Sequence, residues 1–119
     1  MKQVLLVALG GAIGAVARYA TGLGLARCLS LAFPWGTLAV NVVGGLAMGV
    51  LVARMGPEQE ALHLGVGVGV LGGFTTFSAF SLEIVRLMEH QPGLAALYAI
   101  LSVVLSVGAC WAGLSLGRL

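Results

Sequence analysis

The sequence predicts an all-α integral membrane protein with four transmembrane helices, the third of them broken near its middle. Three observations carry that expectation. Of 119 residues, 60% are hydrophobic, and the 19 glycines raise the apolar-plus-glycine share to about 76%, against roughly 45–50% in soluble domains. Only 8% are charged, where a soluble domain has about 25%. So few charges cannot coat a water-facing globule, and lipid is the natural solvent. Second, four apolar stretches follow one another, each close to the roughly 20 residues that a span requires. Third, one of them carries two glycines and four hydroxyls where hydrocarbon is expected.

Four spans of about 20 residues account for most of the chain, which leaves a single transmembrane unit over residues 1–119. The first expected span covers residues 4–26. Lys2 ahead of the apolar run from Val4 to Ala17, which ends Ala15-Val16-Ala17, has the outline of a secretory leader. Apolar residues resume at Ala20 and continue through Leu25, which suits a retained span with one embedded polar group, Arg18. Phe33-Pro34-Trp35 marks a turn with an aromatic ring at interface depth.

The second span covers residues 35–53 and is interrupted only by Thr37 and Asn41. Arg54, Pro57, Glu58, Gln59 and Glu60 form a polar loop. The third covers residues 62–82 and contains the sequence Gly72-Gly73-Phe74-Thr75-Thr76-Phe77-Ser78-Ala79-Phe80-Ser81. Irregular backbone at membrane depth is tolerated only inside protein or beside a watery cavity. Its freed carbonyls are ready ligands for a hard cation; a kink that merely shapes the fold is the alternative. Glu83, Arg86, Glu89, His90 and Pro92 close this segment, and the fourth span covers residues 94–116.

Gly10/Gly14, Gly45/Gly49, Gly65/Gly69/Gly73 and Gly113/Gly117 recur at four-residue spacing. Such small faces let helix backbones approach closely in lipid. Four spans put both termini on one side. Lys2, Arg54 and Arg118 then face Arg27 and Arg86, so the positive-inside rule has almost nothing to act on. A chain that inserts either way up can pair with its inverted copy, and an antiparallel, dual-topology homodimer is expected.

Arg18 is the unmatched charge inside a span, and centring it costs about 2.5–3.5 kcal/mol. It either serves a function there or snorkels to the headgroups; both make its surroundings positive. Tyr98, Ser102 and Ser106 repeat every four residues on the fourth span, which aligns their hydroxyls on one helical face. They read either as interhelical glue or as the lining of an ion path, and Asn41 joins them as an embedded polar group. Phe77 and Phe80 are three apart and neighbours if helical. Phenyl edges are electropositive and can attract a small anion, although ordinary packing explains two phenylalanines as well.

Nothing in the chain supports catalysis: there is no nucleophile with a base and no phosphate-binding loop, so an enzyme is not expected. The net charge of +2 is scattered and excludes a nucleic-acid partner, which needs clustered cations. Cys28 and Cys110 form no motif and read as apolar filler. His63 and His90 fall in or beside polar connections and read as solvated.

Three ordered stretches, Gly10 to Tyr19, Gly36 to Gly44 and Gly72 to Ser81, resemble the Fluc (CrcB-type) fluoride channels of prokaryotes. The similarity covers nearly the whole chain, with the fourth span matched mainly by its hydroxyl ladder. The resemblance implies an antiparallel homodimer in the prokaryotic cell membrane, with two narrow pores for fluoride and a structural Na+ at the centre of the interface. It implies backbone carbonyls of Gly72 and Thr75 as the sodium ligands, and Phe77, Phe80 and Asn41 on the fluoride path. Tyr98, Ser102 and Ser106 match the family's polar track, with Thr76, Ser78, Ser81 and Glu83 on the matching side of the third span and Arg18 at a positive vestibule. Ala79 departs from the family pattern, in which many relatives carry threonine, and the lost hydroxyl would alter hydration of the path. The expected function is passive export of F− that lowers its toxicity. Rival expectations are a small multidrug-resistance-type proton-coupled exporter, which needs an embedded carboxylate that only Glu83 approaches, and a non-conducting membrane assembly subunit.

Overall fold

Among the described residues, four helices are long and apolar enough to cross a membrane: Lys2–Cys28, Trp35–Arg54, Glu60–His90 and Pro92–Gly117. The computed structural model describes residues 1–30 and 32–119. Helix α1 is Lys2–Cys28 and ends where Leu29 turns extended, and α2 is Trp35–Arg54. The third span is composite. A single turn, α3 (Glu60–Leu62), runs into a π-helical stretch, His63–Leu71, and then into α4 (Gly72–Phe74). Thr75 leaves the helical region (φ −86°, ψ 160°), and α5 (Ser78–His90) resumes after it. Helix α6, Pro92–Gly117, starts with proline in its first turn, where the missing N–H costs nothing.

The helices extend beyond the apolar stretches read from hydropathy, most of all at α5, which continues to His90. Charge ends a hydrophobic run but not a helix: Glu83, Arg86 and Glu89 are good helix formers and carry the spiral into the polar zone. The molecule is 49 Å along its longest axis, close to the roughly 40–45 Å of a bilayer with its headgroups.

Packing is backbone to backbone. Helix α1 lies along the π-helical stretch and α4, and α2 lies along α6. A side-chain carbon placed on Gly10 or Gly14 of α1 would strike the carbonyl oxygens of Gly65 and Val70 on the third span. One on Gly49 or Gly113 would strike the opposing carbonyls of Cys110 and Leu46 where α2 meets α6. Without water to drive apolar surfaces together, such close approach is what holds membrane helices in contact.

The burial pattern is that of a lipid-facing protein. The buried apolar residues are few, Leu38, Val40, Leu71, Ala95 and Tyr98, while Ile100, Val103, Val104, Val107 and Trp111 of α6 all lie on the outside. Exposed apolar surface of that extent would be untenable in water. Tyr98, completely buried, anchors the contact between α5 and α6.

Candidate functional site

The polar residues of the spans gather around two cavities that meet at Thr76. The first, about 280 Å³, is lined by Arg18, Thr37, Thr76, Ala79 and Glu83 together with Phe33 and Trp35. The second, about 520 Å³, is lined by Asn41, Gly72, Thr75, Thr76, Phe77, Phe80, Ser102 and Ser106. Of the described residues, only Thr76 lines both.

The linker between α4 and α5 is held by side chains from two other helices. Asn41 of α2 clamps Thr76 with both ends of its amide: Nδ2 donates to Thr76 O (2.9 Å) and Oδ1 accepts from Thr76 N (2.8 Å). Arg18 of α1 donates from Nε to Gly73 O (3.1 Å). Thr76 Oγ1 in turn accepts from Ala79 N (3.2 Å) and lies 3.3 Å from Ser78 Oγ. These bonds redirect the local backbone. Thr76 N would close a helical turn onto Gly72 O, and Ala79 N would close one onto Thr75 O, but both amides are given to side-chain oxygens instead. The Thr75 hydroxyl is spent on Leu71 O (2.9 Å).

Helix α5 carries the next groups. Glu83 accepts from Thr37 Oγ1 (3.0 Å) and from Tyr98 OH (3.2 Å), so each carboxylate oxygen has a neutral donor. Removing the phenol oxygen leaves Glu83 Oε1 without this partner. Tyr98→Phe is expected to destabilise the fold by about 1–3 kcal/mol, measured as a lower unfolding midpoint in detergent; an unchanged midpoint would show that the bond contributes nothing. On α6 the Ser102 and Ser106 hydroxyls are buried and have no hydrogen-bond partner among the described residues. Buried polar atoms are nearly always paired, and both serines belong to the wall of the larger cavity, so a modest shift of either hydroxyl would offer a donor there.

Aromatic rings form a continuous file through the same region. Phe77 and Phe80 are 5.6 Å apart by centroid, Phe80 and Tyr98 5.3 Å, Tyr98 and Phe33 5.3 Å in an edge-to-face pair, and Phe33 and Trp35 4.6 Å. Phe77 is 78% exposed despite its apolar ring.

Most residues singled out from the sequence therefore come together. Asn41, Gly72, Thr75, Thr76, Phe77, Phe80, Ser102 and Ser106 share the larger cavity, while Arg18 and Glu83 line the smaller one. Tyr98 sits behind them, joined to Glu83 and to Phe80. Ser78 and Ser81 line neither cavity; the Ser81 hydroxyl donates to Phe77 O (2.9 Å). Two contributors are additional: Thr37, which holds Glu83, and Phe33, which extends the aromatic file. Thr37 lies four residues before Asn41 and so on the same helical face, a signal that was available in the sequence. Among the described residues no group of three or more His, Cys, Asp or Glu could hold a metal ion.

The fold defines a multi-pass helical membrane protein with two cavities between its spans that share Thr76. Comparison with known proteins narrows the class. The family model described as "CrcB-like protein, Camphor Resistance (CrcB)" matches residues 5–114. A protein of Rhodospirillum centenum named fluoride-specific ion channel FluC is 52% identical, with 99% of this chain and 97% of the relative covered. Proteins of the same name from Agrobacterium fabrum and from Caulobacter sp. are each 49% identical over 99% of this chain, covering 98% and 96% of their own lengths. The chain belongs to the CrcB family.

Proposed function

We propose that this protein is a fluoride-selective channel that lets F− leave the cytoplasm passively across the bacterial plasma membrane. The observation that carries the reading is the pair of unpaired, buried hydroxyls of Ser102 and Ser106 in one cavity with Phe77 and Phe80. Fluoride is small and strongly hydrated, so a pore must replace its water with donors. The two serine hydroxyls and the electropositive phenyl edges supply them. The fluoride-channel names of relatives at about half identity support the same substrate. Arg18, beside the smaller cavity, attracts anions toward its mouth. Chloride is excluded by the narrow passage.

The working unit we propose is an antiparallel homodimer with two pores. The nearly balanced lysine and arginine tally of the two membrane sides supports dual insertion. The exposed ring of Phe77 and the larger cavity give a second copy a surface to complete. The resident cation of this reading is Na+, and the residues fit it. Gly72 and Thr75 line the larger cavity, and the amides that would have closed their carbonyls are bound elsewhere. Carbonyl oxygens are the ligands a hard cation takes at membrane depth. Bound there, Na+ would neutralise the carbonyl dipoles and tie two copies together.

A proton-coupled exporter is disfavoured by Glu83, whose two oxygens are both engaged by neutral donors rather than free to exchange a proton with substrate. The deciding experiment is ion efflux from liposomes loaded with potassium fluoride or potassium chloride, followed with ion-selective electrodes after addition of valinomycin. Rapid fluoride efflux with chloride retained is expected; equal fluxes, or none for either ion, would defeat the assignment. Repeating it with and without sodium tests the cation.

A further inference from the structure

We propose that the Thr76 side chain is a positioning residue that keeps the Thr75 carbonyl open by capping helix α5. Proceeding from Phe74, the chain leaves the helix at Thr75 and re-enters it at Ser78. A helix that starts inside a membrane has amides without partners, which hydrocarbon cannot satisfy. Thr76 Oγ1, one residue ahead of the N-cap position at Phe77, accepts from Ala79 N at 3.2 Å and so takes one of the free first-turn amides. The same bond has a second effect: Ala79 N is the one amide that a continuing helix would aim at Thr75 O.

With the hydroxyl gone, the Ala79 amide lacks an acceptor, and Thr75 O, turned out of helical register by an extended ψ of 160°, still lacks a helical donor. Polar groups in that condition tend to pair, because an unpaired donor or acceptor shielded from water is costly. Closing Thr75 O onto Ala79 N then needs Thr75 to rotate from ψ 160° into the helical region, which the lost cap no longer opposes. The Asn41 amide prevents the equivalent closure one step earlier, since its Oδ1 holds Thr76 N away from Gly72 O. Arg18 meanwhile occupies Gly73 O. The open oxygens at Gly72 and Thr75 are therefore the product of side chains from α2 and the linker itself. The inference rests on the reading of those carbonyls as sodium ligands only for its second consequence, that Thr76 sets sodium affinity.

The test uses full-length, isotopically labelled protein in lipid bilayers, as wild type and as Thr76→Val, Thr76→Ala and Thr76→Ser. In sodium-free buffer, solid-state NMR reads the Thr75 carbonyl-carbon shift. In Val and Ala variants that resonance is expected to move downfield as it gains a hydrogen bond, while the Ser variant, which keeps Oγ1, stays with wild type. Sodium titration by 23Na NMR is then expected to show affinity about 10–100-fold weaker in Val and Ala, the usual effect of losing a partner that orients a ligand, and restored in Ser. A Thr75 resonance unmoved in both hydroxyl-free variants overturns the proposal. A moved resonance with unchanged sodium affinity overturns its second consequence. Wild type that binds no sodium sinks the cation reading instead, and the carbonyl shift still decides whether Thr76 positions the linker.

Discussion

Asn41→Asp should reduce fluoride efflux from liposomes by two to three orders of magnitude while the protein still purifies as a folded membrane protein. The substitution keeps size and shape but converts the Nδ2 donor into an oxygen. Thr76 O then loses its 2.9 Å bond and faces a like-signed oxygen across the same gap. Leaving such a carbonyl unsatisfied costs about 1–3 kcal/mol. The new charge adds a second effect. A unit negative charge about 4 Å from a passing anion raises its energy by about 4 kcal/mol at an effective dielectric of 20, which alone corresponds to about a thousandfold in occupancy. Asn41→Gln separates the two effects, because it adds no charge while disturbing the clamp. Efflux at the wild-type rate in Asn41→Asp would remove Asn41 from both the linker and the ion route.

Gly14→Ala is expected to do the greatest damage to the fold. A methyl group there would run into Val70 O and sit 2.8 Å from Phe74 N, both backbone atoms that cannot rotate away. Overpacking of a core commonly costs about 1–3 kcal/mol, and the cost lies at the upper end where backbone must move. Because α1 also delivers Arg18 to Gly73 O, pushing it outward releases the linker as well as the helix contact. Gly24→Ala, on the same helix and with open space at its methyl position, is the control. Low yield and aggregation on size exclusion are expected for the first variant and normal behaviour for the second; equal behaviour would show that α1 does not need its close approach.

How much of this was legible in the chain alone differs by residue. The four spans were, because hydropathy over some twenty residues reports directly on what solvent a helix tolerates. The helix-packing glycines were also legible, since a four-residue spacing fixes a common face before any partner is known. The composition of residues 72–81 pointed to the linker, and Phe77, Phe80, Ser102 and Ser106 do share a cavity. Partnerships across the fold were not legible. Asn41 engages Thr76, 35 residues on, Thr37 engages Glu83, 46 on, and Arg18 engages Gly73, 55 on. No local periodicity encodes such pairs. Arg18 read as a loose positive charge, whereas in the fold its Nε is committed to a backbone oxygen. The π-helical turns of His63–Leu71 were equally hidden. Alternating glycine and valine favours no particular helix type, and the wider spiral lies along α1.

The position of Thr76 on the wall of both cavities has an electrical consequence. Were each chamber wetted from a different side of the membrane, the voltage would fall mainly across the protein between them, where Thr76 stands. An elementary charge crossing 100 mV changes energy by about 2.3 kcal/mol. Concentrated there, that drop would act as a steep local gradient on whatever ion stands beside the threonine, and hardly at all on one waiting in either chamber.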